Sequence, residues 1–318
     1  MDKRIKLDIV SGFLGAGKTT LINKLLTEAF AGERIAVLEN EFGEISIDGE
    51  LLAGQDLKIK EISNGCICCT LQGDFVEGIK ELTETYKPER IIIEPTGIGK
   101  TAEILGACKL CMEKAPVSVH TLITVVSAPL AIPLLMAGGD FYCGQIQGSP
   151  LIILSAVQKL GPGDPPLEET IAAIRDINHK ALVISENWET LDSLALVTLA
   201  EESMARLSQA DHECGHDHDH THHHHDDDED FDSFSFIQEH SYSTQKIEEL
   251  FSHLEKGSFG LVFRAKGFIL EEEQFFELNY VYGRIEKKPI KYPGPGKLVI
   301  IGKDLRKEDL ARFARGPL

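Results

Sequence analysis

A glycine-rich stretch near the start of the chain constrains the fold more than any other feature. Residues 11–20 read Ser-Gly-Phe-Leu-Gly-Ala-Gly-Lys-Thr-Thr and contain G-x-x-x-x-G-K-T, the pattern of a phosphate-binding loop. The apolar residues 5–10 before it predict a buried strand, and the apolar residues 21–26 after it recur at helical spacing. Strand, glycine loop and helix together let backbone N–H groups and a helix N-terminus bind phosphate. The sequence therefore predicts a nucleotide site rather than a chance glycine turn.

The residues of this loop have separate expected roles. Lys18 is expected to contact the β- and γ-phosphates of the nucleotide, and the Thr19 hydroxyl is expected to bind Mg²⁺. The other residues expected to surround the phosphates are Gly12, Gly15, Ala16, Gly17 and Thr20.

A second acidic motif follows an apolar run further along the chain. Residues 90–94 predict a buried strand that ends in Glu94, and Pro95-Thr96-Gly97 interrupts it. A carboxylate at that position can hold Mg²⁺ or its waters, and a glycine at residue 97 lets a backbone N–H approach the γ-phosphate. Glu94 and Gly97 are therefore candidate catalytic residues together with Lys18 and Thr19.

The alternation of strands and helices predicts an α/β fold. Strands are predicted over residues 34–38, 120–126, 151–154 and 181–184, with helical stretches between them, and residues 45–64 are predicted to be a loop region. This pattern is typical of a P-loop NTPase with a mostly parallel sheet covered on both faces. We expect this domain to occupy residues 1–207.

The pattern changes after a polar segment. Residues 233–318 alternate short strands with two helices and predict a small C-terminal α+β domain, with one helix beginning at Ser243 or Thr244. Residues 208–232 have few apolar side chains to bury and are predicted to be a mobile linker. His216, His218 and His220 in this linker could capture metal ions weakly, and a solvated polar linker is the alternative.

The net charge and the apolar runs of the chain limit the classes of partner that it is expected to bind. The formal net charge is −19, and ten acidic residues with no lysine or arginine lie between Asp211 and Asp232. An acidic surface argues against a nucleic-acid partner, because phosphate backbones select basic surfaces. The chain has no run of apolar residues long enough to cross a bilayer, so we also expect no membrane partner and a cytoplasmic location.

Three of the seven cysteines lie close together, at Cys66, Cys68 and Cys69. Three thiolates within four residues can supply most of a tetrahedral Zn²⁺ site or bind another late transition metal. Inert buried thiols are the alternative. Glu39 and Glu44 flank this region and could add oxygen ligands, although a solvated acidic loop explains them nearly as well.

A further C-x-x-C pair, Cys108 and Cys111, lies on a predicted helix. Residues three apart share a helix face, so the pair could bind metal or carry out redox chemistry. Two small residues that pack into the core are the favoured interpretation.

Four motifs in this order resemble those of the CobW-like GTPases, metal-handling proteins of the same class as the urease and hydrogenase accessory GTPases. The motifs are the phosphate loop, Asn40–Glu44, Gly65–Cys69 and Glu94–Gly97, and the His-rich segment and residues 263–267 resemble the family's linker and C-terminal domain. The resemblance implies a metallochaperone or metal-insertion GTPase. It implies a zinc or cobalt ion at Cys66, Cys68 and Cys69, and a client metalloprotein or cofactor-assembly enzyme as partner.

One motif departs from this resemblance. Members of the family carry Asn/Ser-Lys-x-Asp after the strand at residues 151–154, where its carboxylate binds the guanine N1–H and 2-amino groups. This chain has Ser155-Ala156-Val157-Gln158. Ser155 and Gln158 are the residues expected beside the base, and an amide forfeits the charge-assisted hydrogen bonds of a carboxylate. GTP remains the expected nucleotide, with ATP as the alternative.

Two other functions remain open from the sequence. The chain could be an ATP- or GTP-driven activator of a metal- or corrinoid-dependent enzyme, with structural cysteines, or a metal buffer with vestigial hydrolase activity. The sequence has no obvious arginine finger, so we expect a partner or a second copy of the chain, as in a homodimer, to complete the active site.

Overall fold

The structure is a computed structural model and describes residues 4–41, 58–63, 72–95, 97, 99–213, 231–238 and 240–315. The chain divides into two compact units. Unit 1 comprises Met1–Glu41 and Leu51–Asp228, and unit 2 comprises Phe42–Glu50 and Glu229–Leu318. Within the described ranges, no helix is both long enough and apolar enough to span a membrane.

Unit 1 contains a seven-stranded sheet in which every pairing is parallel. The strand order across the sheet is β3-β2-β4-β1-β5-β6-β7. The predicted α/β class, a P-loop fold with a parallel sheet, is confirmed. In chain order the strands are β1 (Ile5–Gly12), β2 (Ile35–Glu41), β3 (Lys58–Ser63), β4 (Arg90–Glu94), β5 (Val117–Ser127), β6 (Leu151–Ser155) and β7 (Leu182–Ile184).

Helices cover both faces of this sheet. Alternate residues of each central strand face opposite sides, so Val10 and Ile92 lie in one apolar cluster while Ile9 and Ile91 lie in the other. The helices are α1 (Lys18–Lys24), which continues into a π-helical turn (Leu25–Ala29), α2 (Gln72–Tyr86), α3 (Thr101–Lys114), α4 (Ala131–Gln147), α5 (Leu167–Ile177) and α6 (Ser193–Glu213).

The prediction of a loop region over residues 45–64 is wrong in its last part. Lys58–Ser63 form β3, which pairs with β2 and lies at the edge of the sheet that the described residues form. An edge strand has a neighbour on one side only and tolerates charged side chains, which is why its sequence lacks the apolar run of a central strand.

Unit 2 contains a five-stranded antiparallel sheet in the order β11-β10-β9-β12-β8. The predicted α+β class of this region is confirmed, and the Ser243 hydroxyl caps α7 by accepting a hydrogen bond from the Lys246 N–H at 3.3 Å. Its elements are β8 (Asp232–Ile237), α7 (Thr244–Glu255), β9 (Leu261–Glu271), β10 (Gln274–Val281), β11 (Arg284–Ile290), β12 (Lys297–Lys303) and α8 (Lys307–Arg315).

Candidate nucleotide site

The glycine-rich loop connects the end of β1 to the start of α1. Gly12, Gly15 and Gly17 have φ angles of 138°, 71° and 106°, in the region that favours glycine. A Cβ on Gly12 would collide with the carbonyl oxygen of Val125 on the neighbouring strand β5. The glycines therefore allow the loop to turn tightly against the sheet and to lead directly into α1.

Three side chains meet beside this loop, and we call Lys18, Thr19 and Glu94 the phosphate cluster. The Thr19 hydroxyl lies 3.2 Å from each carboxylate oxygen of Glu94. The Lys18 ammonium donates to the Phe13 carbonyl oxygen at 3.3 Å and lies 3.8 Å from Glu94 Oε1. These residues meet because β1 and β4 are neighbours in the sheet, which brings the ends of both strands together.

The donor types of the phosphate cluster fit a magnesium ion. Mg²⁺ binds hydroxyl, carboxylate and phosphate oxygens, usually through one or two carboxylates at most. Thr19 and Glu94 bring one hydroxyl and one carboxylate to the same point, next to the loop whose backbone faces the expected phosphates.

The segment after β4 lies against the phosphate loop. A Cβ on Gly97 would lie 2.6 Å from the backbone nitrogen of Leu14, so the close approach requires glycine. The buried Gln145 amide on α4 donates to the Gly97 and Gly99 carbonyl oxygens at 2.8 and 3.3 Å. Sequence reasoning missed Gln145, because nothing in an apolar helix indicates which strand end it will reach.

Glu39 lies on β2 directly opposite Glu94 on β4. Both side chains are buried, with relative exposures of 4% and 8%. Two glutamates thus lie on neighbouring strands at the carboxyl edge of the sheet, where ligands of open α/β sheets bind. Glu39 is therefore a neighbour of the phosphate cluster.

The other predicted metal ligands lie outside the described residues. They are Cys66, Cys68, Cys69, Glu44, His216, His218 and His220. Among the residues that are described, no group of three or more histidine, cysteine, aspartate or glutamate side chains is arranged to hold a metal ion.

The segment expected at the base begins at the end of β6. The Ser155 hydroxyl donates to the Ala16 carbonyl oxygen of the phosphate loop at 2.5 Å. Ala156 has a φ of 56°, which turns the chain into a short 3₁₀ helix at Val157–Lys159. Gln158 is exposed on this helix, and its Nε2 donates to Glu189 Oε2 at 3.3 Å. The structure thus brings Ser155 to the phosphate loop and Gln158 to a carboxylate that sequence reasoning did not identify.

A second charged cluster surrounds Arg90 at the other end of β4. We call it the arginine cluster, and it consists of Asp8, Glu33, Arg90 and Thr121. Arg90 donates to Asp8 and, through Nε, to Glu33 at 2.9 Å, and the Thr121 hydroxyl donates to Asp8 at 2.8 Å. Burial alone would raise the pKa of the Asp8 carboxyl. The hydrogen bond with His120 and the charge of Arg90 together hold that pKa below its ordinary value.

The Cys108 and Cys111 side chains are fully buried on α3. Burial raises the pKa of Cys111 to about 12 and that of Cys108 further above its ordinary value. Burial in apolar surroundings therefore disfavours the thiolate form that a metal ligand or a nucleophile needs. The structure agrees with the core-packing interpretation of this pair.

The parallel sheet, the phosphate loop and the phosphate cluster define a P-loop nucleotide-binding fold. The family model described as "CobW/HypB/UreG, nucleotide-binding domain" matches residues 6–184, and the model described as "Cobalamin synthesis protein cobW C-terminal domain" matches residues 231–315. The chain belongs to the CobW/HypB/UreG family, and the resemblance stated from its motifs is confirmed.

Individual relatives are similar over part of their length. The zinc chaperone YeiR of Escherichia coli is 32% identical over 49% of this chain and 48% of its own, and the zinc chaperone CobW of a Sinorhizobium species is 38% identical over 39% and 37%. The chain thus spans less than half the length of these relatives in alignment. The alignment with a structure of Zn(II)-bound YjiA GTPase from E. coli covers 98% of this chain and 98% of that one, with 18% identity and a TM-score of 0.42. Because this identity and this TM-score are low, the family assignment rests on the family models.

Proposed function

We propose that this chain is a nucleotide-gated metallochaperone GTPase. It binds a zinc or cobalt ion as its cargo at Cys66, Cys68 and Cys69, and it couples GTP hydrolysis to transfer of that ion to a client metalloprotein or cofactor-assembly enzyme. The observation that carries the proposal is the assembled phosphate cluster beside the glycine loop, in a chain whose family relatives include zinc chaperones.

The residues of the cluster divide the work of binding and hydrolysis. Lys18 exchanges its contact with the Phe13 carbonyl for the β- and γ-phosphate oxygens, which are stronger acceptors because they are charged. Thr19 and Glu94 would hold Mg²⁺ or its waters, and the bound ion would supply positive charge beside the transferred phosphoryl group. Gly12, Gly15, Ala16, Gly17 and Thr20 line the phosphates.

Gly97 gives the site its means of sensing the γ-phosphate. It lies three residues after the end of β4 and against Leu14 of the phosphate loop, so a change at the γ-phosphate can reach this segment through that contact. We propose that nucleotide orders the segments at residues 39–44 and 94–97. The cysteine motif lies between them in sequence, so the triphosphate state shapes the metal site and hydrolysis releases the ion.

The remaining parts of the chain also have roles in this proposed function. Residues 1–207 form the GTPase domain, with Ser155 and Gln158 beside the base. Residues 208–232 form a linker in which His216, His218 and His220 capture metal weakly, and residues 233–318 recognise the client. Glu39 and Glu44 serve as oxygen donors to the metal held by the cysteines, and a partner or second copy of the chain completes the active site.

The test measures zinc and cobalt affinity by competition with a chromophoric chelator, with GDP or with a non-hydrolysable GTP analogue bound. We expect the two nucleotide states to differ in metal affinity. Metal should then change the ratio of triphosphate to diphosphate affinity by the same factor, because linkage is reciprocal. Equal metal affinity in both states would contradict the gating proposal.

Two variants separate the alternatives. Cys68→Ser should abolish tight metal binding and client activation together; activation that survives this change indicates an activator with structural cysteines. Lys18→Ala should abolish nucleotide-dependent metal release, whereas unchanged metal handling in cells indicates a metal buffer. Lys80→Ala, a change on the exposed Glu77–Lys80 pair of α2, is the matched control.

A further inference from the structure

The base-binding segment of this chain lacks the carboxylate that reads guanine in its family, yet a carboxylate stands next to it. Glu189 lies on a 3₁₀ turn at Trp188–Thr190, just after β7, and accepts a hydrogen bond from Gln158 Nε2 at 3.3 Å. Gln158 and Glu189 are both exposed, so both are accessible to a ligand. We call these two side chains the acceptor pair.

The backbone of Glu189 is held in place from two sides. Its N–H donates to the Asn187 side-chain oxygen at 3.2 Å, and its carbonyl oxygen accepts from the Lys24 ammonium of α1 at 3.1 Å. Lys24 also pairs with Glu28 at 2.7 Å, which fixes the lysine itself. Glu189 is therefore a positioned residue on an exposed turn, and α1, which carries Lys18 and Thr19 at its start, is one of the elements that position it.

The acceptor pair lies on the same edge of the sheet as the phosphate loop. Ser155, three residues before Gln158, donates to the Ala16 carbonyl oxygen, and a Cβ on Gly17 would lie 3.7 Å from the Ser155 Cβ. A nucleotide with its phosphates on the loop therefore extends its base toward the segment that follows Ser155, at the carboxyl ends of β6 and β7.

The chemistry of a carboxylate fixes the orientation of the Gln158 amide. A carboxylate only accepts hydrogen bonds, so the amide must turn its NH₂ group toward Glu189 and its oxygen Oε1 to the other side. The acceptor pair thus offers Gln158 Oε1 together with the carboxylate oxygens of Glu189. The negative charge that position 158 lacks is supplied from position 189.

We propose that Glu189, acting with Gln158, determines guanine specificity in this chain. This inference rests on the proposed nucleotide site. The Watson–Crick edge of guanine presents two donors, N1–H and the 2-amino group, which match two acceptors. The same edge of adenine presents N1 as an acceptor and a C–H at position 2, so adenine would place a lone pair against the carboxylate. The site would therefore reject adenine, because an acceptor oxygen of Gln158 or Glu189 would be left without a hydrogen-bond donor.

The test measures the affinities of Mg²⁺ complexes of non-hydrolysable GTP, ATP and ITP analogues by calorimetry. Inosine lacks only the 2-amino group of guanosine. We expect the unmodified chain to bind the GTP analogue at least tenfold more tightly than the ATP analogue and several-fold more tightly than the ITP analogue. Glu189→Gln should lose most of both preferences, because an amide carries no charge and can turn either a donor or an acceptor to the base.

A reciprocal variant tests the pairing. Gln158→Glu combined with Glu189→Gln keeps one amide and one carboxylate in the pair with exchanged positions, and it should regain a GTP over ATP preference that Glu189→Gln alone has lost. Glu202→Gln removes an exposed carboxylate on α6, where it pairs with Arg206 and contacts neither member of the acceptor pair, and it should leave all three affinities unchanged.

The outcomes separate this inference from the function on which it rests. If the unmodified chain binds none of the analogues, the proposed nucleotide function fails. If it binds them but Glu189→Gln keeps the original GTP, ATP and ITP ratios, or if the unmodified chain already binds GTP and ATP alike, the inference about Glu189 is overturned while the nucleotide site stands.

Discussion

The two ends of strand β4 carry charged clusters of opposite character. Arg90 begins the strand, and the arginine cluster around it is closed: its guanidinium binds two carboxylates and stacks 3.8 Å above the Phe30 ring. Glu94 ends the strand, and the contacts that join Lys18 and Thr19 to it are longer. The lysine lies 3.8 Å from the carboxylate, and the hydroxyl contacts lie at 3.2 Å, the long end of the hydrogen-bond range.

This difference separates a cluster that holds the fold together from one that is ready for a ligand. Removing a partner from a closed buried ion pair leaves an uncompensated charge, which is costly. The Lys18 ammonium lies beside the glycine loop and can exchange its contact with the Phe13 carbonyl for charged phosphate oxygens, which are stronger acceptors. The predictions below test whether the arginine cluster serves stability and the phosphate cluster serves binding.

The largest expected effect is on stability, from Arg90→Met. This change leaves the Asp8 carboxylate buried without its cation, and we expect it to lower the free energy of unfolding by about 3–5 kcal/mol. Nucleotide affinity should be unchanged at a temperature where the variant is still folded. The measurement is denaturant unfolding followed by circular dichroism, with nucleotide titration of the native protein.

Arg34→Met is the matched control for this change. Arg34 pairs with Glu89 at 3.6 Å on the surface, where both side chains are more than half exposed, and such pairs contribute about 0–1 kcal/mol. A stability loss for Arg90→Met no greater than that for Arg34→Met would contradict the structural role of the arginine cluster.

The two clusters also show what the sequence could and could not predict. The phosphate cluster was predictable, because a short motif fixes Lys18 and Thr19 and a strand-ending acid suggested Glu94. The arginine cluster was not, because Asp8 and Arg90 are 82 residues apart and meet only when β1 and β4 pair. Glu189 was missed for the same reason.

Strand β3, which the sequence did not predict, has a related explanation. It lies at the edge of its sheet, and its sequence, Lys-Ile-Lys-Glu-Ile-Ser, includes three charged residues. Central strands are recognised by the apolar residues they bury on both faces. Edge strands lack that requirement, and charge on them protects against pairing with other chains.

The next effect in size is on binding, from Lys18→Met. Methionine fills the space of the lysine stem but cannot donate to phosphate, so we expect GTP-analogue affinity to fall by about 1.5–3 kcal/mol, the value of a hydrogen bond to a charged group. Unfolding free energy should change by less than about 1 kcal/mol. Calorimetry and denaturant unfolding check the two values, and Lys80→Met is the control. A stability loss as large as that of Arg90→Met would show that the phosphate cluster is structural as well.

A smaller effect should appear in the pH dependence of stability. The native pKa of Asp8 lies below its unfolded value of about 3.9, so ionised Asp8 stabilises the fold above that pH, and the stabilisation is lost as pH falls through the native pKa. Asp8→Asn keeps the shape and removes the charge. We expect it to cost about 1.5 kcal/mol at pH 7. The difference from the unmodified chain should shrink as the pH is lowered below about 4. A difference that stays constant from pH 7 to pH 3 would contradict the assigned role of the Asp8 charge.

The smallest expected effect, from Thr19→Val, is specific to the metal ion of the nucleotide. Valine matches threonine in shape but lacks the hydroxyl that meets the Glu94 carboxylate at 3.2 Å, so one oxygen ligand for Mg²⁺ is lost. We expect GTP-analogue affinity in Mg²⁺ to fall by about 1 kcal/mol, as for loss of one neutral hydrogen bond, and affinity measured in EDTA to stay the same.

Thr19→Ser keeps the hydroxyl and should bind like the unmodified chain in both conditions. Because the arginine cluster is distant from the loop, Asp8→Asn should show no such dependence on Mg²⁺. An equal fall in Mg²⁺ and in EDTA would mean that Thr19 acts through the shape of the loop, and the contrast between a closed structural cluster and an open binding cluster would then rest on Lys18 and Glu94 alone.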